Sequence, residues 1–368
     1  MKIAMVSPYA LSRPGGVQGQ VIGLARALRG LGHQVTVLGP DDAGGEVGAS
    51  PDTYVLGRPT GLHSNGSVAP VTISPLAARR AVRFVRRGDF DVVHLHEPLA
   101  PCAGYGFMLR SGVPLVGTYH RAGVSRWVPL LKPLAALVGR RLQVRAAVSE
   151  AARETGARSG GGAFDVLFNG VDLARFASAI PVRDPEGRPT VLFLGRHEER
   201  KGLSVLLDAF AEVDRPAVLW VAGDGPGREV QQRRHPESER VHWLGLLRDD
   251  EVAARLVGAD VLCAPSLRGE SFGMVVLEGL AARCVVVASD LQGYRAAAGG
   301  HALLVPPGDV AQLSRALGVA LADVVERSGL ASVESVKAAE AYAEEWSMET
   351  LADRYVPLYE RAIAMAAC

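Results

Sequence analysis

Short apolar runs alternate with longer amphipathic segments along the chain. In the first half, Lys2–Val6, Gln34–Leu38, Val92–Leu95 and Pro114–Thr118 have the length of strands, and Val17–Arg29 has the spacing of an amphipathic helix. Runs that are apolar at every position are typical of strands buried on both faces. The pattern therefore predicts a parallel sheet with helices on each side.

The same rhythm restarts after an interruption. Residues 168–190 are rich in asparagine, aspartate, glycine and proline, which is the composition of a linker. Beyond the linker we predict a helix over Leu203–Val213 and a second series of strands: Val191–Gly195, Ala217–Ala222, Val241–Leu244, Val261–Ala264 and Cys284–Ala288. The sequence thus predicts an α/β protein with two consecutive Rossmann-like domains.

Composition narrows the class of protein. The chain has 368 residues, 48% of them hydrophobic, which fits two folded domains rather than a disordered chain. Its 40 basic and 39 acidic residues nearly balance, so we expect no nucleic-acid partner. The four cysteines lack paired spacing, and no apolar run is long enough to span a membrane or to form a signal peptide. These features predict a cytoplasmic protein.

Ligands of such folds bind beyond the carboxyl ends of the strands, so the loops there carry the candidate chemistry. Gly15 and Gly16 precede the first helix, where backbone N–H groups and the helix dipole favour an anion. Arg196 follows a strand and Lys201 precedes a helix, which places two cations where a diphosphate leaving group would need them. A tight turn and solvated surface charge are the alternative interpretations.

Two glutamates follow a later strand. Glycines place Glu270 on a loop, and an apolar run places Glu278 about two turns into a helix over Met274–Ala281. A carboxylate accepts paired hydrogen bonds from the vicinal hydroxyls of a ribose or a hexose. Isolated glutamates are more often surface residues, but a surface role fits Glu278 poorly in so apolar a helix.

Three histidines lie at predicted strand ends. His94 and His96 alternate along one strand and would share a face, as the ligands of a metal do. No third ligand is apparent, so we expect packing and hydrogen bonding for both and no metal site. His120 ends an apolar strand at the predicted ligand-binding edge, which makes it a candidate site residue.

Five arginines form a stripe on a predicted helix. At about 100° per residue they share one face roughly 120° wide, and we expect Leu76, Phe84, Val85 and the alanines to fill the other side. Such a stripe suits anionic lipid headgroups, although an ordinary amphipathic helix with a basic solvated face has the same pattern. The arginines are Arg79, Arg80, Arg83, Arg86 and Arg87.

The segment from Gly269 to Glu278 (GESFGMVVLE) resembles the signature of retaining GT-B glycosyltransferases of family 4, which are related to glycogen and sucrose synthases. Within that family the chain is most similar to the phosphatidylinositol mannosyltransferases, which transfer mannose from GDP-mannose to the inositol ring of a membrane lipid. Further segments match in order along nearly the whole chain: Pro14-Gly15-Gly16, Asp91–His96, Thr118-Tyr119-His120, Asn169–Asp172, Gly195-Arg196, Lys201-Gly202 and Gly223–Pro226.

The resemblance implies a nucleotide-sugar donor, here GDP-mannose, and no protein-bound cofactor or metal. In this family the leaving diphosphate itself is held to accept the acceptor's proton. Catalytic roles are implied for His120, Arg196, Lys201 and Glu270. Donor-binding roles are implied for Gly15, Gly16, Arg196, Lys201, Glu270, Phe272, Gly273, Met274 and Glu278.

The resemblance is weaker on the acceptor side. Tyr9, Gln18 and Asn65 match the mannosyltransferases, and Arg121 could meet a phosphate, which gives four candidate acceptor-binding residues. Leu99 stands where asparagine is expected, and residues 121–124 replace a hydroxyl-rich stretch. The stretch 127–134 would contact the acceptor or lipid, or lie in the core. The arginine stripe matches a basic cluster of the mannosyltransferases, which implies an anionic phospholipid partner and peripheral association with the cytoplasmic face of the plasma membrane.

These expectations divide the chain into an acceptor and membrane domain (1–168), a nucleotide-sugar domain (169–346) and a helix (347–368) that returns to the first domain. Three alternatives remain open. The first is a hexosyltransferase that uses a UDP-sugar and another lipid or soluble acceptor. The second is a sugar-nucleotide epimerase of the same architecture, which would lack the glutamate-containing signature. The third is a non-catalytic membrane adaptor, which the full set of candidate residues disfavours.

Overall fold

The computed structural model describes residues 1–12, 15–41, 52–64, 67–72, 74–98, 100, 106–107, 112–121 and 139–367. The chain divides into two compact units. The first unit comprises Met1–Gly170 together with Met348–Cys368, and the second comprises Val171–Ser347. Each unit contains its own parallel sheet and flanking helices, so the predicted α/β class with two Rossmann-like domains is confirmed.

The sheet of the first unit has seven parallel strands among the described residues, in the order β3-β2-β1-β6-β7-β8-β9. A separate antiparallel hairpin is formed by β4 and β5. The strands are β1 Lys2–Val6, β2 Gln34–Gly39, β3 Thr53–Val55, β4 Thr60–Ser64, β5 Ser67–Val71, β6 Val92–His96, β7 Leu115–Tyr119, β8 Val144–Ala147 and β9 Asp165–Val166. The helices are α1 Gly16–Gly30, α2 Pro75–Arg87 and α3 Glu150–Gly160.

Both faces of this sheet are buried, as the unbroken apolar runs predicted. Along β1, Ile3 and Met5 pack into the core on one face, whereas Ala4 and Val6 pack into the core on the other. The first core contains α1 and the second contains α2. Side chains with polar groups must therefore collect at strand ends or find hydrogen-bond partners inside.

The second unit has a six-stranded parallel sheet in the order β12-β11-β10-β13-β14-β15. Its strands are β10 Thr190–Leu194, β11 Val218–Ala222, β12 Val241–Gly245, β13 Val261–Ala264, β14 Val285–Ser289 and β15 Ala302–Val305. Its helices are α4 Leu173–Ala177, α5 Leu203–Ala211, α6 Arg228–Arg234, α7 Asp249–Gly258, α8 Met274–Ala281, α9 Gln292–Ala298, α10 Val310–Glu326 and α11 Val333–Glu344. Single 3₁₀ turns lie at Glu199–Lys201 and Gly329–Ala331.

The last helix, α12 (Met348–Ala367), belongs to the first unit. Met348, Leu351 and Tyr355 are buried in the same core as Leu24 of α1. A Cβ on Gly23 of α1 would lie 2.6 Å from the Met348 methyl group, so the two helices approach closely. The predicted return of this helix to the first unit is confirmed.

The predicted strands agree with the structure to within about two residues, but several strands were missed. The hairpin β4–β5 and the short strands β3, β8 and β9 carry no unbroken apolar run of the kind that identified the others, whereas β15 has such a run of four residues and was not predicted. Residues 168–190, predicted as a linker, contain the five-residue helix α4. Across the described residues, no helix has both the length and the apolar character needed to cross a membrane.

The linker packs tightly on α7 of the second unit. Val182 N–H donates to the Ala254 carbonyl at 3.0 Å, and a Cβ on Gly258 would overlap the Val182 carbonyl oxygen. We expect Gly258→Ala to lower the free energy of unfolding by about 2 kcal/mol, because the backbone must shift to admit the methyl group. Urea denaturation of the purified protein measures this change.

Gly318 in α10 provides the matched control, because no heavy atom lies within 4 Å of a Cβ built there. The same exchange, Gly318→Ala, should stabilise the protein by about 0.5–1 kcal/mol through helix propensity alone. Equal effects of the two substitutions would contradict the steric explanation for Gly258.

Candidate active site

Two strand-end loops of the second unit lie directly against each other. His197 N–H donates to the Asp224 carbonyl at 3.0 Å, and a Cβ on Gly223 would collide with the Gly195 carbonyl oxygen. Gly223 also has a φ of 117°, a backbone conformation that side chains rarely allow. A Cβ on Gly225 would lie 2.8 Å from the backbone nitrogen of His197. Loop packing therefore explains the glycines of the Gly223–Pro226 segment.

Glu270 collects three hydrogen bonds on one carboxylate oxygen. Lys201 Nζ lies 2.7 Å from Glu270 Oε1, Arg200 Nη1 lies 3.2 Å from it and Ser266 Oγ donates to it at 3.1 Å. The Ser266 hydroxyl is held in turn by the Tyr294 hydroxyl at 2.7 Å. The structure thus brings together two predicted residues, Lys201 and Glu270, that are 69 positions apart in the chain.

A second carboxylate completes this arrangement. Glu198 is buried, its Oε1 lies 3.1 Å from Arg196 Nη2, and its Oε2 accepts a hydrogen bond from Arg200 Nε at 2.8 Å. The Arg196 side chain remains 51% exposed. We call the five residues the cation cluster; three cations and two carboxylates give it a net charge of +1: Arg196, Glu198, Arg200, Lys201 and Glu270.

Arg200 and Glu198 were not predicted as members of this cluster. Both lie in the segment 197–202, whose charges had a plausible surface interpretation. The single available signal was their adjacency to Lys201 and Arg196 at the carboxyl end of β10. Glu270, the partner of Arg200, follows β13, the strand next to β10 in the sheet, and only the fold shows that these strands are neighbours.

Glu278 is the fifth residue of α8, so it lies about one turn into the helix and not two, although the predicted bounds Met274–Ala281 agree with the structure. Arg175 Nη1 lies 3.6 Å from Glu278 Oε1. Burial raises the pKa of Glu278, and the Arg175 guanidinium partly offsets that increase. Arg175 was not identified from the sequence, since it lies in the linker.

Phe272, Gly273 and Met274 connect Glu270 to α8. Phe272 is buried, with its ring centroid 6.3 Å from that of Trp346. Gly273 precedes the helix with a φ of 93°, and Met274 is the first helical residue. Packing and chain direction account for these residues in the described structure, and their predicted contact with the donor stays a prediction.

In the first unit, Gly15 precedes α1 and Gly16 is its first residue, and a Cβ on Gly15 would lie 2.5 Å from Gln18 Oε1, so the Gln18 side chain restricts the space there. Gly15 has extended backbone angles that any residue adopts, and no heavy atom lies within 4 Å of a Cβ built on Gly16. The space beside Gly16 leaves the start of the helix accessible to an anion. Gln18 is buried and its amide donates to the Ala10 carbonyl at 3.4 Å, and Tyr9 forms a β-bridge with Val71.

Buried hydrogen bonds link β6, β7 and α12. The ring nitrogens of His94 lie 2.9 Å from the Tyr359 hydroxyl and 2.7 Å from the Thr118 hydroxyl, which in turn lies 2.8 Å from the Tyr355 hydroxyl. The predicted hydrogen-bonding role of His94 is confirmed. Within the described ranges, no group of three or more histidines, cysteines or carboxylates is arranged to hold a metal ion.

His120 is held from two sides. His96 Nδ1 lies 2.9 Å from His120 Nε2, and the His120 backbone N–H donates to Glu97 Oε2 at 3.2 Å. Burial lowers the pKa of His120 to about 4, so its ring is neutral at pH 7. Burial raises the pKa of Glu97 to about 7, partly offset by the Arg121 guanidinium and by backbone N–H groups. Glu97 was missed because its partner is 23 residues away.

All five arginines of the predicted stripe are exposed, and Ala77, Ala81, Val82 and Val85 are buried on the opposite side of α2. The prediction for Leu76 was wrong, since its side chain is 56% exposed. Leu76 precedes Arg79 and Arg80 by three and four positions, so helical geometry places it on their face. We call this surface of α2 the arginine face.

The residues predicted on the acceptor side fall into two groups. Asn65, Leu99 and residues 127–134 lie outside the described part of the chain. Arg121 lies directly after His120 and is half-buried, so it is positioned beside the candidate catalytic histidine. The acceptor-binding roles predicted for Tyr9, Gln18 and Arg121 stay predictions.

Two family models match the chain in succession. Residues 14–175 match the model described as Glycosyltransferase Family 4, and residues 188–323 match the model described as Glycosyl transferases group 1. The first match covers most of the first unit, and the second match begins just before β10.

Curated relatives are similar over nearly their full length. The phosphatidyl-myo-inositol mannosyltransferase of Mycolicibacterium smegmatis is 38% identical, with 89% of this chain and 87% of the relative aligned. The protein of the same name from Mycobacterium tuberculosis is 35% identical, with 98% and 97% aligned. Among solved structures, Anabaena HepE in complex with UDP and glucose has a TM-score of 0.74 at 19% identity, covering 98% of this chain and 99% of that one, which shows the shared GT-B fold.

The raised pKa of Glu97 predicts a pH-dependent stability. The folded state binds the proton of the Glu97 carboxyl more tightly than the unfolded state does. The contribution of this proton to stability is therefore greatest below about pH 4.5 and is lost as the pH rises through 7. Glu97→Gln lacks this proton. We therefore expect its free energy of unfolding, minus that of wild type, to rise by about 3 kcal/mol between pH 4.5 and pH 7.5. Urea denaturation of both proteins at the two pH values measures the difference.

Comparison with wild type removes the contributions of the buried histidines, which both proteins share. Glu326→Gln, at an exposed position, controls for the loss of a surface carboxylate. A variant whose stability follows the wild-type pH profile in parallel would show that Glu97 does not titrate in this range.

Proposed function

Because the chain belongs to glycosyltransferase family 4, we propose that it transfers mannose from GDP-mannose to the inositol ring of phosphatidylinositol, with retention of the anomeric configuration. The observation that carries this proposal is the near full-length similarity, at 35–38% identity, to proteins named phosphatidyl-myo-inositol mannosyltransferases. The site geometry supports binding of the nucleotide-sugar donor, and the arginine face supports access to a lipid acceptor.

The cation cluster supports a diphosphate leaving group. Arg200 and Lys201 are held in place by Glu270 before any ligand arrives, which lowers the cost of ordering them around an anion. The net charge of +1 leaves the cluster attractive to a diphosphate. When the diphosphate binds these cations, Glu270 can accept hydrogen bonds from hydroxyls of the transferred sugar. No metal is then needed to stabilise the departing charge.

The bond changes follow from this arrangement. The bond between the mannose anomeric carbon and the β-phosphate oxygen breaks, and a bond from the same carbon to an inositol oxygen forms on the same face. The inositol proton passes to the leaving diphosphate. The groups of the protein supply binding, orientation and charge stabilisation, with Gly15 and Gly16 offering backbone N–H groups to the diphosphate and the Glu278 carboxylate accepting from the ribose hydroxyls.

The arginine face supports docking on an anionic membrane. Five guanidinium groups project from one side of α2, and the buried alanines and valines anchor the other side in the core. The cytoplasmic leaflet is the anionic one in biological membranes, so peripheral association with the cytoplasmic face is the location that this surface fits. Docking there would bring the enzyme to a lipid acceptor that does not leave the bilayer.

The donor and the acceptor are tested together in one assay. We expect radiolabelled transfer to phosphatidylinositol vesicles from GDP-mannose and not from UDP-glucose, UDP-galactose or GDP-glucose, with hydrolysis of each donor followed in parallel. Glu270→Gln should lower transfer about 100-fold, because it loses the charged hydrogen bonds to Lys201 and Arg200. Hydrolysis of one donor without a lipid product would refute phosphatidylinositol as the acceptor, while the proposed donor site would stand.

The arginine face is tested by vesicle co-sedimentation. Replacing three of its arginines by serine should weaken binding to phosphatidylserine-containing vesicles about 100-fold at low salt, since each charge contributes about 1 kcal/mol. Unchanged co-sedimentation would remove the membrane role of α2. The test variant combines Arg79→Ser, Arg80→Ser and Arg83→Ser, and the charge-matched control combines Arg233→Ser, Arg234→Ser and Arg248→Ser at exposed positions of the second unit.

A further inference from the structure

We propose that His96 and Glu97 are positioning residues for His120, and that His96 holds His120 in the tautomer that carries its proton on Nδ1. On Nδ1, the ring nitrogen that does not contact His96, His120 then has an N–H to donate to a bound ligand and not a lone pair. This inference rests on the proposed function only in identifying that ligand as the transferred sugar. The tautomer itself is a property of the protein alone.

The rings of His96 and His120 are in direct contact. His96 Nδ1 and His120 Nε2 are 2.9 Å apart, and the rings are stacked with an interplanar angle of 26°. Both side chains are more than nine-tenths buried. Burial lowers the pKa of both histidines, so each ring carries one proton at pH 7. One ring must therefore donate the hydrogen bond and the other must accept it.

The other ring nitrogen of His96 decides which of the two rings donates. His96 Nε2 is buried and has no hydrogen-bond partner in the described structure. If His96 accepted from His120, its own proton would sit on Nε2 as a buried, unsatisfied N–H. Orphaned N–H groups are rarer in proteins than acceptors that lack a donor. His96 therefore donates from Nδ1, and His120 Nε2 accepts, which leaves the His120 proton on Nδ1.

The backbone conformation of Glu97 also positions His120. Successive strand residues point to opposite faces, so the residue after His96 would normally turn away from His120. Glu97 instead has a φ of 51°, a left-handed conformation that costs a non-glycine residue about 1–2 kcal/mol. This conformation brings Glu97 Oε2 to 3.2 Å from the His120 backbone nitrogen. His96 thus fixes the ring of His120, and Glu97 fixes its backbone.

A small cavity beside the two histidines provides a competing possibility. Gln20, Asn169 and Tyr355 line it together with both rings. A water there that donates to His96 Nε2 leaves the proposed tautomer unchanged. A water that accepts a hydrogen bond from a protonated His96 Nε2 reverses both tautomers, and the NMR experiment distinguishes the two cases.

The direct test is ¹⁵N NMR of histidine-labelled protein at pH 7 without any ligand. His120 resonances are assigned by their loss in His120→Gln. We expect the shifts of a protonated Nδ1 and an unprotonated Nε2 for His120 in the wild type, and growth of the Nε2-protonated form in His96→Leu. A His120 ring protonated on Nε2 in the wild type would overturn the proposal, whatever the enzyme's acceptor proves to be.

Kinetics then test the positioning role. His96→Leu should lower kcat about 100-fold through misplacement of His120, while the KM for the donor changes much less. His96→Asn retains a donor near the position of Nδ1 and should recover about tenfold of that loss. His33→Leu, the same exchange in the first unit at a residue that contacts the chain's amino terminus, should leave both constants unchanged.

Equal losses in His96→Leu and His96→Asn would show that His96 only fills space, and would refute its positioning role. If no donor supports transfer in the wild type, the proposed function fails, while the NMR result still decides the tautomer. Circular dichroism and thermal unfolding of each variant confirm that a loss of rate is not a loss of fold.

Discussion

Burial of both faces of each parallel sheet is the constraint on which the rest of the structure depends. Ile3 and Met5 of β1 face one core while Ala4 and Val6 face the other, so a strand has no side left for solvent. Polar chemistry is confined to the carboxyl ends of the strands, where the loops lie. A polar side chain within a strand must be hydrogen-bonded, as His94 is to two hydroxyl groups.

Electrostatic preorganisation follows from that confinement. At the carboxyl ends of β10 and β13, Glu198 and Glu270 hold three cations at fixed positions without ligand. Buried or half-buried cations need such partners, because an unpaired charge away from water is costly. In the proposed reaction, the diphosphate binds these cations and the Glu270 carboxylate then accepts hydrogen bonds from hydroxyls of the transferred sugar. The ion pairs thus stabilise the positions of the three cations within the protein itself.

The elements and site residues that were predicted from the sequence are those identified by a pattern of neighbouring residues. Apolar runs identified the long buried strands, and glycine-flanked loops identified Lys201 and Glu270. Arg200, Arg175 and Glu97 could not be found, since each acts through a partner 23 to 103 positions away that only the sheet order brings near. Leu76 was misassigned because its apolar character was given more weight than its angular position on the helix.

The position of α12 has a consequence for biosynthesis. The first unit takes Met348, Leu351, Tyr355 and Tyr359 into its core, and the two tyrosine hydroxyls complete the buried hydrogen bonds of β6 and β7. On the ribosome, this helix is translated only after the entire second unit. The first unit to be synthesised is therefore the last to complete its core, and until then the hydrophobic surface that α12 covers is exposed and prone to aggregation.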